Sequence, residues 1–189
     1  MMKAALEALS VGELLDAFGR QPGGPGGGSA AAVVVALGAA LVEMAARASG
    51  EHWDQAGGTV AQAVALRDRA LALASRDAEA YDAAVAALSG GGDELLGDAL
   101  ARAAAVPLQI AHLGVDVAQV AQLTAEHGGA DLAADCIVAG RLACAGTRGA
   151  AALVRINLGT TAADPRLEQA AELDARAAAF ERALGELEG

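Results

Sequence analysis

Large side chains are scarce among the hydrophobic residues of this sequence, and this scarcity limits the folds open to it. Hydrophobic residues make up 54% of the chain, whereas aromatic residues make up only 2%. The interior must therefore be filled largely by alanine, valine and leucine. Strands are enriched in β-branched and aromatic residues, while small aliphatic side chains let helices approach closely. We therefore predict an all-α fold, a multi-helix bundle with a long central helix.

The length of the chain predicts the number of domains, and capping signals predict the first and last helices. A chain of 189 residues falls within the roughly 100 to 200 residues of an ordinary domain, so we expect a single helical domain over residues 1–189. Ser10 and Glu13 have capping-box spacing, which predicts a short first helix. Asp164 followed by Pro165 is typical of a helix start and predicts a C-terminal helix.

Apolar spacing predicts the helices between these ends. Ser29 is a favourable N-cap for a second helix over about residues 30–48, in which alanines recur at i,i+4 and allow burial on most sides. A third, long helix should follow Gly57-Gly58 and end at residues 90–92. Its near-heptad seam consists of Val60, Val64, Leu71, Ala74, Ala78, Tyr81, Val85 and Leu88. We predict a fourth helix near 94–126, kinked by Pro107, and a fifth near 131–157.

Charge and segment length exclude two classes of partner. The chain carries 13 basic and 24 acidic residues, a net charge of −11, which repels a nucleic-acid backbone. The most apolar stretch, residues 30–42, is shorter than the roughly 20 residues that cross a bilayer. We therefore expect neither a nucleic-acid nor a membrane partner.

Cysteine, histidine and N-terminal patterns bear on compartment and metal binding. Cys136 and Cys144 lie too far apart along one helix for a disulfide, so we predict buried, reduced thiols. The N-terminus lacks the apolar core of a secretory signal, and we expect a cytoplasmic location. His52, His112 and His127 form no ligand pair at the spacing of known zinc motifs, so no metal site is predicted.

The glycine-rich segment from Gly23 to Ser29 is the most unusual feature of the chain. A phosphate-binding P-loop needs lysine where Gly28 stands, and a dinucleotide fingerprint needs a preceding strand that this sequence does not predict. Glycines let a ligand contact the backbone, and a helix start offers free N–H groups to negative charge. From composition alone, a plain flexible linker is the favoured interpretation.

A few polar residues interrupt otherwise apolar helix faces. Asp77 adjoins the seam of the long helix, Asp135 precedes Cys136, and Arg155 and Asn157 follow an apolar run. Taken singly, each is more often a hydrogen-bonding residue with a structural role than a functional residue. For Asp77, an ion pair with Arg155 is the structural alternative.

The order of several segments resembles a known family. Residues 25–31 read Pro-Gly-Gly-Gly-Ser-Ala-Ala, and Leu37-Gly38 begins a matching run through Met44. Asp77 to Tyr81, residues 105–108 and residues 154–158 then match in the same order. Together, over about residues 10–165, they resemble the C-terminal domain of the formiminotransferase-cyclodeaminase family, the cyclodeaminase and cyclohydrolase enzymes of folate one-carbon metabolism.

The resemblance implies an all-helical homodimer that acts on the one-carbon unit between N5 and N10 of a tetrahydrofolate derivative. The family's two reactions are the cyclisation of 5-formiminotetrahydrofolate with loss of ammonia and the hydrolysis of 5,10-methenyltetrahydrofolate to the 10-formyl form. Neither needs a metal or a bound cofactor. The resemblance implies Asp77 as the general acid/base. The substrate-binding residues that we predict are Gly26, Gly27, Gly28, Ser29, Tyr81, Asp135, Arg155 and Asn157.

Two departures from the family pattern keep a second function open. Residues 49–53 read Ser-Gly-Glu-His-Trp where the family usually places lysines near a glycine and an aromatic residue. Residues 88–93 lack the family's aromatic-Leu-Pro-Lys turn. The alternative is a catalytically lapsed helical dimer that binds a small molecule or a protein partner. Which folate reaction applies is also left open by these residues.

Overall fold

The computed structural model describes residues 6–20, 25–90, 99–159 and 163–187, the side chains of 87–90 excepted. Within these ranges every regular element is helical, as predicted. Short 3₁₀ turns occupy Leu6–Ala8 and Ala130–Leu132. The α-helices are α1 (Val11–Gly19), α2 (Gly27–Ala48), α3 (Ala56–Gly90), α4 (Ala105–His127), α5 (Ala133–Leu158) and α6 (Pro165–Glu186).

The capping signals at the two ends of the chain are confirmed. The backbone N–H of Ser10 donates to the Glu13 carboxylate at 2.9 Å, and the Ser10 hydroxyl accepts from the Glu13 backbone at 3.3 Å. At α6 the side chain of Asp164 accepts from the backbone N–H of Arg166 at 2.9 Å, and Pro165 is the first helical residue. Both starts follow from contacts within one helical turn, so local sequence is enough to predict them.

The start of α2 differs from the prediction. The helix begins at Gly27 with Gly26 as its N-cap, and no side chain caps it. Ser29 is therefore not the N-cap but lies within the first turn, with its side chain fully buried. Glycine is tolerated at an N-cap almost as well as serine, which lets the helix start three residues early. The hydroxyl of Ser29 consequently faces the interior of the bundle.

The predicted central position of α2 is confirmed. It packs against α3, α4 and α5. A Cβ on Gly38 would lie 2.7 Å from the carbonyl oxygen of Ala139, and one on Gly146 would lie 2.6 Å from Cγ2 of Val35. Small residues therefore let α2 and α5 approach closely, and the pairing of 38 with 139 and of 35 with 146 makes the two helices antiparallel.

The buried face of α3 is displaced from the predicted seam. Tyr81 is 53% exposed and Val85 is 42% exposed, while the side chain of Leu88 lies outside the described residues. The predicted seam omitted core residues of both sizes, such as Ala70 and Leu73, and also Ala84, which packs with Ala99 and Ala103. Residues on the buried face are Ala63, Leu66, Ala70, Leu73, Ala74, Asp77 and Ala84. Asp77 thus lies within the buried face, not at its edge.

The predicted kink of the fourth helix is a break before Pro107. Residues 99–103 are helical, Ala104 is a turn, and α4 begins at Ala105. Because proline has no N–H, the carbonyl of Ala103 lacks the donor four residues ahead that a continuous helix would supply. The predicted start near 94 lies outside the described residues. Residues 133–158 form α5 after the 3₁₀ turn, close to the predicted bounds.

Both cysteines are buried and unpaired, as predicted. Burial raises the pKa of the Cys136 thiol to about 11 and that of the Cys144 thiol to about 12. Both are therefore neutral thiols at physiological pH, in the apolar packing around α5.

Three helical stretches, Gly27–Ala48, Ala99–His127 and Ala130–Leu158, are long and apolar enough by length and composition to cross a membrane. More than half of the most apolar window in each is buried inside the bundle. Much of the apolar surface of these helices is therefore used to pack one helix against another.

Candidate active site

A groove of about 360 Å³ opens at one end of the bundle. Four parts of the chain meet there: the start of α2, the C-terminal half of α3, the region on both sides of the Ala104 turn, and the end of α5. The groove is lined by Gly26, Gly27, Gly28, Asp77, Ala80, Tyr81, Ala84, Val85, Leu100, Ala103, Pro107, Leu153, Ile156 and Asn157. Six of the nine residues that the sequence predicted for the site therefore line one cavity.

Asp77 is the acidic residue of this lining, and it is only 8% exposed. Its Oδ2 lies 3.0 Å from Oγ of Ser29, which in turn lies 2.9 Å from the carbonyl oxygen of Ala74. Ser29 therefore stands behind Asp77, between α2 and α3, and does not line the groove. Ser29 contacts Asp77, and its assignment to substrate binding stays a prediction.

Two opposing influences set the pKa of Asp77. Burial disfavours the charged carboxylate and is the larger effect, so it raises the pKa of Asp77 above its usual range. Hydrogen bonds from the side chain and backbone of Ser29 stabilise the charged form and partly offset this rise in pKa. A carboxyl group with a raised pKa in a cleft is suited to exchange protons near neutral pH.

Gly28 makes the position of Asp77 possible. A Cβ on Gly28 would lie 2.5 Å from Cγ of Asp77, closer than two carbon atoms can approach without displacement. A Cβ on Gly27 would meet only Cδ1 of Leu153, at 3.9 Å. Gly28 is therefore the residue of the glycine-rich segment whose missing side chain the carboxylate requires.

The start of α2 also supplies backbone donors at the groove. The N–H of Ala30 is the first to bond within the helix, to the carbonyl of Gly26 at 3.1 Å. The N–H groups of Gly27, Gly28 and Ser29 precede it and have no partner within α2. Of these, Ser29 donates to Asp77. Gly27 and Gly28 thus place two donors at the positive end of the helix dipole, which favours an oxygen carrying negative charge.

Tyr81 and Asn157 line the groove from α3 and α5. Tyr81 follows Asp77 by one turn of α3 and is half-exposed. Asn157 comes from the end of α5 and is half-buried. A phenol and an amide are neutral hydrogen-bonding groups at pH 7, and they provide polar contacts without a fixed charge.

The structure does not bring Arg155 or Asp135 to the groove. Arg155 is exposed, and its Nη1 lies 3.6 Å from Oδ2 of Asp174 on α6, so the alternative ion pair between Asp77 and Arg155 is not formed. Asp135 lies in the first turn of α5, roughly 33 Å along the helix from Asn157 at 1.5 Å per residue. The assignment of both residues to substrate binding stays a prediction.

The apolar walls of the groove were missed by the sequence reasoning. Leu100 and Ala103 come from the helical segment before the Ala104 turn, Pro107 from the first turn of α4, and Leu153 and Ile156 from α5. In the sequence, Pro107 predicts a kink and lies in one of the segments that resemble the family, and neither feature indicates a groove wall. Ile156 is 71% exposed, and an isoleucine between Arg155 and Asn157 was the one available signal for an apolar wall.

The fold and this groove define a class of helical proteins that a comparison of sequences identifies. Residues 10–178 match the formiminotransferase-cyclodeaminase family, and the chain belongs to that family. The match runs from α1 into α6. It confirms the resemblance noted from the sequence and extends it beyond residue 165.

Two relatives are informative. The chain is 32% identical to methenyltetrahydrofolate cyclohydrolase of Methylorubrum extorquens, in an alignment that covers 95% of this chain and 88% of that protein. The crystal structure of formiminotetrahydrofolate cyclodeaminase from Thermotoga maritima superposes with a TM-score of 0.89, at 27% identity and with 96% of each chain covered. The whole bundle, and not a part of it, is therefore shared with these proteins.

Proposed function

We propose that this protein is a folate one-carbon enzyme that hydrolyses 5,10-methenyltetrahydrofolate at the groove, with Asp77 as the general acid/base. The observation that carries the proposal is the buried carboxylate of Asp77. It has a raised pKa and lies against the start of α2 in a groove with apolar walls. The cyclohydrolase of M. extorquens, similar over nearly the whole chain, supports hydrolysis as the first reaction to test.

The proposed reaction begins with ionised Asp77. The carboxylate removes a proton from a water molecule as the water oxygen bonds to the methenyl carbon, which gives a neutral tetrahedral carbon bearing a hydroxyl group. The bond from that carbon to N5 then breaks. N5 receives the proton held by Asp77, and the hydroxyl proton leaves to solvent, so the products are 10-formyltetrahydrofolate and one proton.

The environment of Asp77 suits both halves of this cycle. A carboxyl group with an ordinary pKa is a weak base and is rarely protonated at pH 7. Burial raises the pKa of Asp77, which strengthens it as a base toward water and lets it retain the proton until N5 departs. The N–H groups of Gly27 and Gly28, at the start of α2, favour an oxygen with partial negative charge, such as the water oxygen as it loses its proton to Asp77.

The same groups would serve the cyclisation of 5-formiminotetrahydrofolate. There, Asp77 would take the proton of N10 as N10 bonds to the formimino carbon, and would return a proton to the departing nitrogen, which leaves as ammonia. The structural similarity to the cyclodeaminase of T. maritima favours this reaction as the alternative activity of the same site.

Purified protein should be assayed in parallel for loss of methenyltetrahydrofolate and for ammonia release from the formimino compound. Turnover of at least one substrate is expected, and Asp77→Asn should lower it by roughly 10²-fold or more, because the amide cannot exchange the proton. Asp68→Asn is the matched control: it removes an exposed carboxylate of the same helix, paired with Arg67, and should leave turnover unchanged. Normal turnover by Asp77→Asn removes Asp77 from the mechanism.

A second candidate, a binding protein without catalysis, is favoured by one observation. Among the described residues, the lining of the groove contains no lysine or arginine, so none of these residues offers a cation to the carboxylates of a bound folate. Binding of a folate analogue by calorimetry, without turnover of either substrate by the parent protein, would establish this function in place of the first.

We also propose that the protein is a homodimer formed through α2 and α5. The contact between Gly38 and Ala139 places the preceding residues, Leu37 and Val138, side by side at the surface. Leu37 is 51% and Val138 is 50% exposed, and Met44 and Ile156 continue the same two helices at 40% and 71%. Exposed apolar side chains on adjoining helices are typical of a protein interface. Because Ile156 also lines the groove, a second copy would border the site.

A further inference from the structure

The hydroxyl of Ser29 contacts two oxygen atoms of α3, one from Ala74 and one from Asp77. Oγ of Ser29 lies 2.9 Å from the carbonyl oxygen of Ala74 and 3.0 Å from Oδ2 of Asp77. Both are hydrogen-bonding distances. A serine hydroxyl has one hydrogen and can also accept, whereas a carbonyl oxygen can only accept. The two short contacts therefore constrain where the protons lie.

When Asp77 is ionised, the single hydrogen of Ser29 must point to Oδ2, and the contact with Ala74 is then left without a hydrogen. When Asp77 is protonated on Oδ2, the carboxyl group donates to Oγ, and the hydroxyl is free to donate to the Ala74 carbonyl. Both oxygen contacts are then hydrogen bonds. The hydroxyl hydrogen of Ser29 thus has an acceptor in each protonation state, Oδ2 of ionised Asp77 or the carbonyl oxygen of Ala74, and besides the carboxyl proton the two arrangements differ only by rotation of the hydroxyl.

We propose that Ser29 is a positioning residue whose hydroxyl rotates between Ala74 and Asp77 each time the carboxyl group gains or loses its proton, and so holds that group in one place throughout the reaction cycle. This inference rests on the proposed function in that it assigns the cycle to Asp77. The heavy atoms need not move, because Ser29 is fully buried in the first turn of α2 and Asp77 lies on the buried face of α3. Such pre-set geometry is what proton transfer requires.

Little else in the surroundings can take over this role. Of the residues that line the groove from α2, α3, α4, α5 and the segment 99–103, only Tyr81 can titrate besides Asp77 itself, and the others are glycine, apolar or amide. Arg155 is directed to Asp174. Among the described residues, burial raises the pKa of Asp77 and the hydrogen bonds from Ser29 lower it.

The test is a pH titration of the Asp77 carboxyl carbon by NMR, without substrate, with the resonance assigned from its loss in Asp77→Asn. Ser29→Ala should raise the pKa of Asp77 by about one unit, because a hydrogen bond to the ionised form is lost. Ser29→Cys keeps the size and offers a weaker donor, so it should give a smaller rise in the same direction, and it carries the test if the alanine variant does not fold. Ser49→Ala is the control, since it removes an equally buried hydroxyl that bonds Ala45 and Gly129 instead.

Kinetics supply the second measurement. The acid limb of the pH profile of kcat/KM should move upward with the Asp77 titration in Ser29→Ala, which lowers kcat/KM about tenfold on that limb, and should not move in Ser49→Ala. An unchanged Asp77 titration in folded Ser29→Ala, or in Ser29→Cys if the alanine variant is unfolded, overturns the inference. Since the titration needs no turnover, its outcome is separate from that of the proposed function, which fails if Asp77→Asn remains fully active.

Discussion

At the scale of single residues, two neighbouring glycines at the start of α2 have different roles. A Cβ at Gly28 would collide with the Asp77 side chain, whereas one at Gly27 meets only an ordinary van der Waals contact with Leu153. Both residues are helical, so alanine is favoured over glycine by up to about 1 kcal/mol at either position when space allows. Alanine substitutions at Gly27 and Gly28 therefore separate an effect on the position of Asp77 from an effect on helix stability.

We expect Gly28→Ala to displace the Asp77 carboxylate and to reduce turnover by roughly 10²-fold, similar to loss of the ionisable group itself. Gly27→Ala should retain turnover within a few-fold and should leave the melting temperature unchanged or slightly higher. Steady-state kinetics and thermal unfolding followed by circular dichroism measure both effects. Equal activity of the two variants would show that the position of the carboxylate against α2 is unimportant.

The residues of the site were only partly predictable from sequence. Asp77 was chosen because it matches an acidic position of the family, but its location on the buried face of α3 depends on the helix packed against it. Ser29 was assigned as an N-cap because serine is common there, and nothing local distinguishes Ser29 from Gly26 as the cap. The groove's apolar wall at Leu100 and Leu153 joins residues distant in sequence, which a helical pattern does not relate to one another.

At the scale of elements, the start of α6 is linked to the segment that borders the groove. Asp164 holds the Arg166 side chain, with Nη2 to Oδ2 at 2.6 Å, and Nη1 of Arg166 donates to the carbonyl oxygen of Ala101 at 2.6 Å. The segment 99–103 is separated from α4 by the Ala104 turn, so this contact is one of the constraints on its position.

The hydrogen bonds from Arg166 lower the pKa of Asp164 to about 2. A carboxylate with a lowered pKa stabilises the fold above its unfolded pKa of about 4, and this contribution is lost as the pH falls toward 2. We expect Asp164→Asn, which keeps an N-cap acceptor but removes the charge, to lower the melting temperature by a few degrees at pH 7. The difference from the parent should shrink as the pH falls below 4.

Asp164→Ala provides the comparison, because it removes both the cap and the charge and should destabilise more than Asp164→Asn at pH 7. Below about pH 3 a difference should remain between the alanine and asparagine variants, since the N-cap acceptor is retained only in the latter. If the difference between Asp164→Asn and the parent is the same at pH 7 and pH 3, the charge of Asp164 does not stabilise α6. Calorimetry across this pH range measures each case.

Helix boundaries were predictable where the signal is local. The capping box at Ser10 and the Asp164-Pro165 pair each operate within one turn, and both gave the correct start. The break at Ala104 is also a local effect of Pro107, because the missing N–H of proline affects the backbone of the preceding helical turn. The predicted buried face of α3 was wrong because burial depends on which elements pack against the helix: Ala84 packs with Ala99 and Ala103, whereas Tyr81 and Val85 are exposed.

At the scale of the whole molecule, the apolar composition exceeds what one bundle buries. Leu37, Met44, Val138 and Ile156 remain exposed along the adjoining helices α2 and α5. On a neighbouring flank of α5, Arg148 and Arg155 pair with Asp174 and Glu181 of α6. That flank of α5 is covered within the chain, whereas Val138 and Ile156 are exposed, as is expected of residues at a self-associating surface.

We therefore expect multi-angle light scattering at micromolar concentration to give about twice the chain mass of 18.5 kDa. Leu37→Lys should shift the mass toward that of one chain, because burying an ammonium group between two apolar faces is unfavourable. Val11→Lys is the matched control, since Val11 is 75% exposed on α1, away from α2 and α5. A parent protein that elutes as a monomer, or a Leu37→Lys variant that remains dimeric, would show that the α2 and α5 face does not join two copies.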